Sequence, residues 1–391
     1  MNAIIEVYIF VCVMLLIFDI GFLIVRNTKN KRYHPQGNKF KELVQKEFEN
    51  YDKSKGLSNT FKAQLTNKIK KTRYLVILQN ELEEVKEGKE QLSLELRPYI
   101  FNELENYKEK SDYEQAYYTY VISKFDYSKH KADHAFCSKF ITFLDSKSLY
   151  TFTNTMNAIY SFGDHNLMCL AIEKVSERNG FYHKKLFVDG LLTFNGDFKQ
   201  LNKLLEEKFY KYSPMVQESL LDYFRLKNAN ASELCIDILR NKNVGSQVLY
   251  SAMRYFAKYP DAKSKQEFLE ILQNDNALWV EQMLAIQGLK HYNDASLKTL
   301  IGRKITSPNW YVRLNAVAYL HDHNMNKGDI FNILSIKDKY ANEALLYQYK
   351  DDEEISKYIT DVVQRLEDEE LESKDNKQIK SKEYEGDLVS V

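Results

Sequence analysis

Five prolines and 13 glycines are few for a chain of 391 residues, and a many-stranded β protein draws on both at its tight turns. An all-helical fold is therefore expected. Cysteine is scarce as well. Cys12, Cys137, Cys169 and Cys235 lie far apart, with no CxxC pair, so neither a disulfide framework nor a four-thiolate zinc site is indicated. A charge excess of one sign is missing, with 55 Lys+Arg against 55 Asp+Glu, which argues against a protein that wraps nucleic acid. No GxSxG, GxGxxG or GxxxxGK[ST] occurs, so a nucleophile elbow and phosphate-cradling loops are lacking. What is present is 44% apolar and 28% charged residues, sufficient for a substantial core.

Residues 7–25, VYIFVCVMLLIFDIGFLIV, form an apolar run broken only by Asp19. At about 1.5 Å per residue such a helix nearly crosses a hydrocarbon layer of roughly 30 Å. The run lacks the basic n-region and small-x-small site of a cleaved signal, so it is expected to be a single transmembrane anchor in the lipid bilayer. Arg26, Lys29, Lys31, Arg32, Lys39 and Lys41 follow with no acid among residues 26–41, and positive flanks stay inside. The expected localisation is a cell membrane, with the N-terminus outside and the rest of the chain cytoplasmic. Asp19 has two readings: a carboxylate bending back to the headgroups, or one facing a polar partner on another membrane helix.

Six stretches recur further on: 154–162, 186–194, 216–224, 248–256, 281–289 and 312–320. Their last residues are spaced 32, 30, 32, 33 and 31 apart. Each ends in a bulky side chain, Phe162, Phe194, Phe224, Phe256, Leu289 or Leu320. Four places earlier stands Ala158, Gly190, Leu220, Ala252, Ala285 or Ala316. A stripe that is apolar throughout and contains a small residue lets another helix approach closely. A second set of amphipathic stretches lies between the first, giving two helices per unit and predicting stacked hairpins, an α-solenoid.

At residues 309–320, NWYVRLNAVAYL, the sequence resembles the second helix of a HEAT repeat, and 279–289 looks like a degenerate copy. The resemblance spans roughly residues 148–350, extending toward 112, and implies a binding scaffold more often than an enzyme. Single-span bacterial proteins that look like this are in some cases accessory to membrane glycosyltransferases that make cell-surface polysaccharide.

The expected organisation is an anchor at 1–25, a basic juxtamembrane segment with charged helices at 26–110, a HEAT-like solenoid at 111–350, and a capping helix with an acidic disordered tail at 351–391. That last segment carries 14 acids against 6 bases. On the polar side of the repeated helices, Tyr160, Asp222, Arg254 and Gln287, with Tyr223, Tyr255 and Tyr319, are expected to align into a partner-binding row, since aromatic and Arg side chains concentrate binding energy. The opposed reading is that the rings close the edge of the core with their hydroxyls in water. The leading expectation is a non-catalytic, membrane-anchored scaffold for a protein partner, with no cofactor and no nucleic acid. The alternative is a membrane-bound metal-dependent enzyme using His130, His134 and Cys137, whose spacing suits one helix face.

Overall fold

Serine, aspartate or asparagine stands just before many of the helices, and its side chain accepts from a first-turn backbone N–H: Ser58, Ser148, Asp164, Asp261, Asn309, Asn326 and Asp338. Each satisfies a donor that the helix start would otherwise leave unpaired. In this computed structural model the residues described are 12–16, 18 and 35–386, except 129, 179–182 and 242. Among them every regular element is helical.

The chain divides into two compact units, the first ending at Leu205 and the second starting at Glu206. The first contains α1 (35–49), α2 (Asn59–Lys68), α3 (Thr72–Glu84), α4 (Lys89–Phe101), α5 (Leu104–Lys108), α6 (Asp112–Ser123), α7 (His134–Phe140), α8 (Leu149–Phe162), α9 (His165–Glu177), α10 (Lys184–Leu192) and most of α11 (Phe198–Glu207). The second contains α12 (Pro214–Lys227), α13 (Ser232–Arg240), α14 (Ser246–Lys258), α15 (Ala262–Gln273), α16 (Trp279–Leu289), α17 (Ala295–Gly302), α18 (Trp310–Asp322), α19 (Lys327–Leu334), α20 (Lys339–Gln348) and α21 (Glu353–Gly386).

Within the second unit the even-numbered helices α12, α14, α16, α18 and α20 neighbour one another in a continuous layer. The odd-numbered α13, α15, α17 and α19 form the other layer, each packed on the helix that follows it. Alternation of this kind is how hairpins stack when neither helix can bury its stripe alone. The first unit repeats the layer with α3, α6, α8 and α10. The six stretches found by spacing fall on α8, α10, α12, α14, α16 and α18, with 186–194 running two residues past the end of α10, and the intervening set falls on α9, α11, α13, α15, α17 and α19. Ala158, Ala252, Ala285 and Ala316 are fully buried. At Gly190 the approach is closest, since a Cβ there would fall 2.1 Å from Cε2 of Tyr160.

The cores are aromatic and aliphatic, from Phe40 and Val44 on α1 to Ile359 and Val362 on α21, and each full burial of such a side chain is worth about 1.5–3 kcal/mol. Residues 38–110 belong to the first unit, contributing Phe61, Leu65, Leu78, Leu96 and Tyr107 to its interior. Pro98 sits inside α4, which ends three residues later. At the other end α21 runs for 34 residues through Gly386, into the part of 351–391 where a disordered tail was expected. Cys137, Cys169 and Cys235 are buried, and no disulfide forms among the described residues.

The expected transmembrane helix is corrected. Among the described residues no helix is long and apolar enough to cross a membrane; α21 has the length, but its sequence is dense in charge, which a hydrocarbon layer does not tolerate. Of residues 7–25, only 12–16 and 18 are described, as helix, and Asp19 lies outside the described residues. The single-pass topology, the outward N-terminus and the bilayer contact fall with that helix.

Candidate functional site

The expected partner-binding row comes apart by residue type. Its four tyrosines are buried: Tyr160, Tyr223, Tyr255 and Tyr319 expose 3% or less. A residue three places after the small position lies only about 60° round a 3.6-residue helix, so Tyr223, Tyr255 and Tyr319 point into the core with Leu220, Ala252 and Ala316. The Tyr255 hydroxyl donates to the Ala229 carbonyl at 2.8 Å and accepts from the Ala231 N–H at 3.0 Å. Tyr319 donates to the Tyr292 carbonyl at 2.6 Å, and Tyr160 to that of Phe187 at 3.4 Å. Burial raises the phenol of Tyr319 to about 12. Tyr107 and Tyr118 do the same for the carbonyls of Ile69 and Ile100, so the rings act as staples between neighbouring elements. Asp222, Arg254 and Gln287 are half-buried on α12, α14 and α16. Asp222 pairs with Arg225 at 3.3 Å, and Gln287 donates to Asn315 on α18 at 2.9 Å.

Among the described residues, no group of three His, Cys, Asp or Glu side chains could hold a metal ion. His130 engages Arg97 through its backbone carbonyl, and His134 is exposed. Cys137 is buried, and that burial raises its thiol to about 12, whereas a metal ligand must be a thiolate.

A chemically mixed, open groove lies instead across α3, α6 and α8. Helix α6 buries Tyr118, Thr119, Val121 and Ile122, which leaves Tyr113, Ala116, Tyr117 and Tyr120 on a second stripe at spacings of three, four and seven. Those four residues line a groove of about 680 Å³, within the range of ligand clefts. α3 adds Gln79, Asn80 and Glu83 to one wall, and Ser148, Tyr150 and Asn154, at the start of α8, form the other. Tyr113 and Tyr150 are 73% and 78% exposed, large aromatic surfaces left open to solvent.

The walls are fixed by hydrogen bonds. Thr72 on α3 donates to Glu114 on α6 at 2.7 Å. Chiefly through that bond, aided by Ser111 and Lys110, the Glu114 carboxyl is held below the ordinary glutamate range. Asn154 donates to the Ala116 carbonyl at 2.9 Å and Thr151 to that of Asp112 at 3.3 Å, joining α8 to α6. Tyr117 and Tyr120 stand with ring centroids 5.9 Å apart. Burial, with Tyr120, Glu83 and Tyr113 around it, pushes the Tyr117 phenol up to about 12. The Lys124 ammonium sits 4.9 Å from the centre of the Tyr120 ring. Sequence reasoning missed this site, although the tyrosine spacing in DYEQAYYTY carries its signature.

Exposed aromatics also mark helix starts in the second unit. Trp279 and Tyr311 stack at 5.8 Å, beside a cleft of about 370 Å³ lined in part by Arg303 and Lys304.

No protein-family model matches the chain, and none of the curated proteins is significantly similar to it.

Proposed function

We propose that this protein is a non-catalytic helical-repeat scaffold of HEAT-like class that holds a partner polypeptide in the groove of α3, α6 and α8. One observation carries the reading. Four tyrosines cluster in one cleft over three neighbouring helices of a single layer, among amide side chains able to pair with a peptide backbone. Tyrosine offers a large contact area at low entropic cost, and it is enriched where binding energy concentrates. The polar and aromatic lining supplies recognition groups: phenols, side-chain amides and the Ser148 hydroxyl. The link to a membrane glycosyltransferase rested on the anchor and is no part of the proposal.

The test is photo-cross-linking in the native host, with a benzophenone amino acid placed at Tyr113, at Tyr150, or at Glu233 as an exposed control in the other unit. Tyr113 and Tyr150 are expected to trap the same protein, and Glu233 not to. Adducts that differ between the two groove positions, or that form equally at Glu233, would sink the assignment.

A further inference from the structure

The chemistry of the groove narrows what lies in it. Its lining contains two carboxylates, Glu83 and Asp112, and no lysine or arginine. Gln79 donates to one Glu83 oxygen at 3.0 Å, and a carboxylate has further lone pairs to offer. Both acids are exposed, so a cationic occupant gains charge-assisted contacts that a neutral one forgoes, and an anionic one meets repulsion. The tyrosine faces favour positive charge as well, because the ring quadrupole attracts a cation within about 6 Å. The same unit shows this twice, with Lys124 at 4.9 Å from the Tyr120 centroid and Lys110 at 3.8 Å from that of Tyr107.

Size sets the reach. Packed helix axes lie about 8–10 Å apart, so a path across three helices covers about 16–20 Å. An extended chain at about 3.3 Å per residue crosses it in five or six residues.

Resting on the polypeptide reading above, we propose that the groove binds an extended segment of about six residues bearing lysine or arginine side chains. The cations lie between the tyrosine faces and Glu83 and Asp112, while Asn80 and Asn154 pair with the segment's backbone.

The experiment screens the purified full-length protein against a synthetic positional-scanning hexapeptide library. Lysine and arginine are expected to be selected at two or more positions. The double variant Glu83→Lys with Asp112→Lys should turn the preference toward aspartate and glutamate. Glu233→Lys with Glu354→Lys makes the same charge change at exposed sites in the second unit and should leave the preference unaltered. Tyr113→Ala with Tyr150→Ala should weaken the selected hexapeptide at least tenfold, with thermal melting by circular dichroism confirming that each variant is folded. Hexapeptide binding that depends on Tyr113 and Tyr150 but shows no selection for cations would overturn this inference and leave the polypeptide reading standing. Failure of every hexapeptide, with binding of an oligosaccharide array lost in the tyrosine variant, would overturn both.

Discussion

The hydroxyl of Tyr255 is a small group with two obligations, the carbonyl of Ala229 and the N–H of Ala231. Tyr255→Phe keeps the ring and leaves both backbone groups unpaired in the interior, so a loss of about 1–3 kcal/mol is expected in urea unfolding. Arg313, from the segment that resembles a HEAT helix, is similarly committed. It is buried, donates to the carbonyls of Ser307 and Thr306, and meets Asp338 at 2.7 Å. Asp338 also accepts from the N–H groups of Tyr340 and Ala341 at the start of α20. Partial burial works to raise its carboxyl, but Arg313 and these N–H groups outweigh it and hold the group below the usual aspartate value. A carboxyl depressed by folding contributes stability that is fully present above its unfolded value, about 3.9, and is lost as pH falls through the folded value. Asp338→Asn should therefore lower the melting temperature at pH 6–7, and its deficit against the parent protein should shrink below about pH 4. A deficit that does not change with pH would remove the ion pair from the account.

At the scale of the helix, the Ala or Gly found in five of the six repeats governs how near the neighbouring helix comes. Gly190→Ala puts a methyl carbon into the Tyr160 ring, and overpacking of this kind costs about 1–3 kcal/mol. Gly245→Ala, where nothing lies within 4 Å and φ is −64°, should change unfolding by less than about 0.5 kcal/mol. The stripes that carry this spacing were legible because burial on a helix recurs every three or four residues. Which tyrosines are buried was less so. A phenol can end in water or on a carbonyl, and the choice at Tyr160 depends on Phe187, a residue in the next hairpin. The groove was hidden for a related reason. Asn80, Tyr117 and Asn154 stand tens of residues apart, and α3 lies ahead of the regular array, so no single window of sequence contains the site.

At the scale of the molecule, each hairpin within a unit leans on its immediate neighbours, and stability in such an array is nearly a sum of local terms. Leu220→Ala, at a fully buried position in α12, should cost about 2–5 kcal/mol and should loosen the second unit well before the first. In native-state hydrogen exchange, amides of α12 to α14 are expected to lose protection while those of α6 and α8 keep theirs; uniform loss across both units would mean one cooperative block. The buried cysteines bear on the same behaviour. Cys137 and Cys169 lie in the first unit and Cys235 in the second, and an alkylating reagent attacks a thiolate only once the surrounding helices part. The chain thus carries its own clocks: iodoacetamide labelling followed by mass spectrometry would time the breathing of each half separately, with no dye, tag or engineered probe.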